Sequence, residues 1–192
     1  AAGTTAGGVT VANGAALELQ GGITVGAETL NIRGTGVLAN GALRNASGNN
    51  TWGGALTLAA ATEIQSDAGS LTLNAPTSVS GAFNLTVDGA SNTVMGGVID
   101  TGAGSLTKNG IGTLTLSGNN NYTGVTTVSA GRLKLQNSNA TGTTAGGVTV
   151  ATGAALELQG GITVAETLSI NGSGVSGNGA LRNLSGDNTW NG

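Results

Sequence analysis

The chain runs to 192 residues with 37 glycines, a single proline and a net charge of −3. That much glycine without a strict triplet period excludes collagen, and a hydrophobic fraction of 38% exceeds what a disordered low-complexity chain carries. Neither cysteine nor histidine occurs, which excludes disulfides, thiol nucleophiles and imidazole bases, and the few basic residues make nucleic acid a poor partner.

Taken from the N-terminus, apolar residues recur as pairs one residue apart: Leu17/Leu19, Leu30/Ile32, Leu56/Leu58, Leu71/Leu73, Leu85/Val87, Leu114/Leu116 and Leu133/Leu135. Period two predicts short strands with one buried side, separated by Gly, Asn and Ser turns. Residues 58–64 are rich in alanine, but glycines flank them and no amphipathic pattern continues, so strand or turn is predicted in place of helix. The spacing between pairs varies. Stacked coils tolerate this because extra residues enter the turns, whereas a sheet of adjacent hairpins needs tighter register. Two or three strands per coil of ~20–25 residues predict about eight or nine coils, and at ~4.8 Å per coil a solenoid on the order of 40 Å long. No apolar run approaches the ~18 residues that cross a bilayer, so this segment is not expected to insert, and none has the pattern of a signal peptide.

Residues 104–135 hold the most regular stretch. Leu106-Thr107-Lys108, Gly110, residues 112–118 (GTLTLSG), Tyr122-Thr123-Gly124 and Ala130-Gly131 resemble the passenger-associated transport repeat of Gram-negative autotransporter proteins. The resemblance implies a single-stranded right-handed parallel β-helix, in the secreted or surface-displayed part of a larger protein exported through the outer membrane. This chain is expected to be a piece of such a protein.

Self-similarity runs further. Residues 3–25 reappear at 142–164 with one change, and 27–54 reappear at 165–192 with eight, so 42 of 51 aligned positions are identical. The offset, Gly3 to Gly142, is 139; once Gly26 drops out, Ala27 aligns with Ala165 and it falls to 138. Residues 1–192 are expected to form one continuous β-helix, and the duplicated unit is expected to comprise whole coils. A shorter signature, Ser-Gly-Asn/Asp-Asn followed by an aromatic two positions on, occurs at residues 47–54, 117–124 and 185–192.

Two kinds of surface site suggest themselves. Trp52, Tyr122 and Trp190 follow the short signature; an aromatic beside Asn can stack on a sugar ring, and the structural alternative is packing over a coil corner. Thr57, Thr72, Thr86, Thr107 and Thr115 occupy outward strand positions, and stacked coils would align them into a threonine array of a kind that binds carbohydrate or ice; the ordinary alternative is β-branched residues at half-exposed positions. Glu63 and Asp67 form the one close carboxylate pair, as a β-helix glycosidase or lyase would require. Gly172-Ser173-Gly174-Val175-Ser176-Gly177 spells GxGxxG but opens no helix, so no dinucleotide site is expected. The predicted function is a non-catalytic stalk without cofactor or metal, serving adhesion or self-association, with host or cell-surface glycans or further copies as partners. The alternative is a carbohydrate-binding or carbohydrate-cleaving β-helix.

Overall fold

The computed structural model describes residues 6–192 and is an all-β solenoid of parallel strands stacked in about eight turns. Each coil has up to three short strands, so the cross-section has three faces. The first face stacks Val9–Thr10, Leu30–Gly34, residues 56–58, Thr77–Ser80 and Val98–Asp100. The second stacks Leu17–Gln20, Leu43–Ser47, residues 62–66, Leu85–Asp88, Leu106–Lys108, Thr126–Val128, Val148–Val150 and Leu168–Ile170. The third runs from Thr24–Val25 and Asn49–Trp52 through Ser70–Leu73, Asn92–Met95, Thr113–Leu116, Arg132–Leu135 and Ala155–Gln159 to Leu181–Ser185. The alanine-rich stretch belongs to one strand, Leu56–Ser66, which turns from the first face to the second with Ala59 to Ala61 at the bend.

Coil length varies: Arg132 follows its ladder partner Thr113 at a shorter sequence distance than Thr51 follows Thr24. The difference is absorbed in the turns while the inward residues keep register. On the third face Trp52, Leu73, Met95, Leu116, Leu135 and Leu158 form one inward column, and Leu71, Leu114, Leu133 and Leu156 belong to its neighbour. All of these side chains are buried. Each such leucine contributes ~1.5–3 kcal/mol relative to exposure, which compensates for the shortness of the strands. Glycine serves the corners. Gly104, Gly124 and Gly146 stack where the first face meets the second, and a Cβ on any of them would collide with a backbone carbonyl one coil below, at Phe83, Gly104 and Gly124 respectively.

The duplicated unit does not comprise whole coils. Val9–Thr10 lies on the first face, yet its copy Val148–Val150 lies on the second. Leu17–Gln20 lies on the second, and its copy Ala155–Gln159 on the third. The duplication offset is therefore six and a third coils, and the second copy sits rotated by one face. The reason is local: every face asks for the same alternating strand and every corner for the same tight turn, so a unit can enter at any face. The first three residues of the duplicated block, Gly3 to Thr5, lie outside the described residues.

In the sixth and seventh coils the first face has no strand. There the stack is held by irregular bonds, Asn121 N–H to Ile99 O at 3.3 Å and Thr143 N–H to Tyr122 O at 2.9 Å. Strand pairing on this side resumes only at the far end, where Thr163–Val164 pairs with Thr189–Trp190.

Candidate functional site

The short signature builds a corner latch. Asn50, Asn120 and Asn188, its fourth residues, each accept a backbone N–H from the preceding coil through Oδ1: Ile23 at 2.7 Å, Ile99 at 2.8 Å and Ile162 at 2.9 Å. The amide nitrogens donate within the corner or to the next coil. Asn120 Nδ2 reaches Ala140 O at 2.6 Å, Asn50 Nδ2 reaches Ser47 O at 2.8 Å, and Asn188 Nδ2 reaches Ser185 O at 2.8 Å. Asn50 also donates to Asn45 Oδ1, and Asn188 repeats that bond to Asn183. Asn50 and Asn120 are buried. These asparagines, and not the aromatics, are what the signature positions; its threefold recurrence pointed to the segment, but the neighbouring aromatic is the more conspicuous letter.

The aromatic rings face inward. Trp52 and Tyr122 are 1% and 0% exposed, so neither offers a sugar a face to stack on. Tyr122 is fixed by its hydroxyl, 2.7 Å from Thr126 Oγ1, and burial raises its pKa above the ordinary tyrosine value. Trp190 is partly buried against the core and donates its indole N–H to Glu166 O at 2.7 Å. The surface role considered for Trp52 and Tyr122 is thereby corrected, because period-two facing continues through the strand to Trp52, and the Tyr122 corner folds into the core.

The threonines separate by face. Thr57 stands on the first face opposite Ser80. Thr72 and Thr115 belong to the third face, in a column that runs Thr24, Thr51, Thr72, Val94, Thr115 and then Lys134, Glu157 and Arg182. Thr86 and Thr107 belong to the second, where Thr127, Thr149 and Ser169 continue them in unbroken register. The threonines thus form two ladders and not a single array, and Thr127 and Thr149 complete a series that their sequence neighbours do not mark.

Of the carboxylates, Asp67 is tied into structure. Arg44 holds Asp67 at 2.6 Å and Glu18 at 2.8 Å, and Gln65 donates to Asp67 at 2.5 Å. Glu63 faces outward on the second face opposite Thr86, and Asp88 lies diagonally beside it, opposite Gln65. Burial, and secondarily the charge of Asp88, raises the Glu63 carboxyl above its ordinary range. The pair stands on a sheet face, whereas small-molecule sites are concave. Lys108 occupies an inward position between Val87 and Val128 and turns its ammonium to the carbonyls of Asn109 and Gly110, the latter at 2.8 Å. Burial lowers its pKa to about 8. A cavity of about 340 Å³ is lined by Val9, Leu17, Leu19, Ile23, Val25 and Trp52, among others. These residues come from all three faces of the first coil and from the coil above, so the cavity is the axial end of the core. Gly172 and Gly174 precede, and Gly177 ends, a single 3-10 turn at Val175–Gly177 ahead of Leu181–Ser185, so no α-helix N-terminus is there to receive a phosphate. Among the described residues no three Asp or Glu side chains converge to hold a metal ion.

Residues 106–135 match the family model of the passenger-associated-transport-repeat. The match spans four strands, from Leu106–Lys108 to Arg132–Leu135, and encloses the Asn120 latch, Tyr122 and Lys108. No curated protein and no solved structure matches the chain.

Proposed function

We propose that this chain, which fits an autotransporter passenger-type repeat protein, is a non-catalytic structural stalk in the passenger of a secreted or surface-displayed bacterial autotransporter, and that it serves adhesion or self-association. The observation that carries the reading is the rotated duplication. Copy-related residues make the same contacts on different faces: Asn50 and Asn188 latch Ile23 and Ile162, and Arg44 and Arg182 bind Glu18 and Glu157. A unit that works at any angular setting suits a spacer, whose length matters, more than a binding site, whose direction matters. A carbohydrate-directed domain would instead depend on unique groups such as Glu63 and Asp88, which have no second copy in this chain.

The test is deletion of residues 4–142 from the complete protein, which joins Gly3 to Thr143 and recreates a junction already present. The stalk reading expects export, display and distal activity to persist, reduced only by shorter reach. Loss of a glycan-binding or glycan-cleaving activity with the β-sheet circular dichroism intact would replace it with the carbohydrate reading.

A further inference from the structure

The rotated duplication sets one Glu–Arg pair on two faces at opposite ends of the solenoid. Glu18 and Arg44 lie on the second face in the first and second coils; Glu157 and Arg182 lie on the third face in the seventh and eighth. Around them the charge divides. The second face in its first four coils carries Glu18, Glu63, Asp67 and Asp88 against Arg44, four negative and one positive, a net −3. In its last three coils the third face carries Arg132, Lys134 and Arg182 against Glu157, three positive and one negative, a net +2. The rest of each face, four coils of the second and five of the third, is an uncharged ladder of threonine, with Ser169 on the second and Val94 on the third.

Laid antiparallel in whole-coil register, the second face of one copy and the third face of another match coil for coil except at the fourth, where Asp88 meets the uncharged Thr113–Leu116 of the fifth. Glu18 in the first coil meets Arg182 in the eighth, and Arg44 meets Glu157. In the third coil, Glu63 and Asp67 meet Arg132 and Lys134 of the sixth. Beyond them threonine ladder lies against threonine ladder, small side chains that let two sheet faces approach to ~10 Å. Turning one copy to a parallel setting puts the acidic half against the uncharged ladder, and pairing either face with itself puts like charges together or leaves them unmatched. We infer that this segment binds a second copy of itself through an antiparallel contact between second and third faces. The inference deepens the scaffold reading and rests on it for the setting, since displayed stalks stand close together. The contact is heterologous: each copy keeps one face of each kind free, so association propagates into open chains and does not stop at a two-fold dimer. Surface ion pairs are individually weak and screened by salt, so association is concentration-dependent and falls as ionic strength rises.

Charge exchange tests this on the 192-residue chain. Glu63 and Lys134 face outward, oppose each other across the contact, and are not tied into an ion pair among the described residues. Sedimentation velocity at low salt should show wild-type species larger than a dimer. Glu63→Lys and Lys134→Glu should each weaken association about tenfold, because each sets like charges opposite. The Glu63→Lys/Lys134→Glu double variant, or an equimolar mixture of the two single variants, should recover wild-type association, with folding verified by circular dichroism. A double variant as weak as the two losses combined, or a wild type that stays monomeric at every concentration and salt, would overturn the inference. Neither outcome touches the stalk reading, which stands or falls on the deletion.

Discussion

Asn120 shows what a single residue does here. Its carboxamide spans three coils, accepting from Ile99 N–H below and donating to Ala140 O above, where the first face has no strand ladder of its own. Replacing it with alanine strands two buried backbone groups, and Asn120→Ala should cost about 2–3 kcal/mol in urea unfolding. Its neighbour Asn119, exposed and bonded only to the Asn139 side chain, should tolerate alanine within ~0.5 kcal/mol. Equal losses would show that the latch is not what holds this corner. Lys108 makes a second prediction, through pH. Burial lowers its folded value to about 8 from an ordinary 10.5, so between these values the unfolded chain binds more protons and stability rises with pH. The window closes near pH 10, where tyrosine begins to ionise in the unfolded chain and the raised value of Tyr122 opposes the rise. Unfolding free energy should therefore climb from about pH 8 to about pH 10, and Lys108→Met should flatten the climb. The same slope in both proteins would mean that the ammonium is not the source. Neither role could be read from sequence: LTK reads as an ordinary strand end, and an asparagine in a Ser-Gly-Asn-Asn turn looks solvated until the next coil is laid on it.

At the scale of the strand, sequence and structure agree closely. Leu114 and Leu116 are buried and Thr115 half-exposed, as period two requires, and the alanine-rich residues 58–64 lie within a strand. Leu114→Asp should cost several kcal/mol by burying an unpaired carboxylate, while Thr115→Lys should stay within ~0.5 kcal/mol. Equal shifts in midpoint would refute the facing. What was not legible was the angular position of each strand. Thr72 and Thr115 look equivalent to Thr86 and Thr107, yet they lie on different faces, because nothing in a Gly/Asn turn states which corner it makes. Coils as unequal as those from Thr113 to Arg132 and from Thr24 to Thr51 prevent counting from one strand to the next. For the aromatics the structural alternative holds, packing over the coil: parity within Asn49–Trp52 turns Trp52 inward, and Tyr122 lies in a strandless corner that folds into the core.

For the whole molecule, the duplication was visible in the sequence and its geometry was not. The near-exact repetition of so long a block suggests whole coils, but the structure places the copies six and a third coils apart. That fraction carries both functional readings: it makes the unit indifferent to face, as a spacer needs, and it carries the Glu–Arg pair from the second face to the third, as the antiparallel contact needs. A stack of nearest-neighbour terms should survive loss of one unit, since the seam and the coils on either side of it retain their contacts.

The most direct test of the stalk is its length, measured by small-angle scattering of the complete passenger with and without residues 4–142. At ~4.8 Å per coil the deletion should shorten the maximum dimension by about 30 Å, with parallel-sheet circular dichroism and cooperative melting retained. An unchanged dimension, or loss of the folded signal, would contradict a solenoid spacer whose reach is set by the number of its coils.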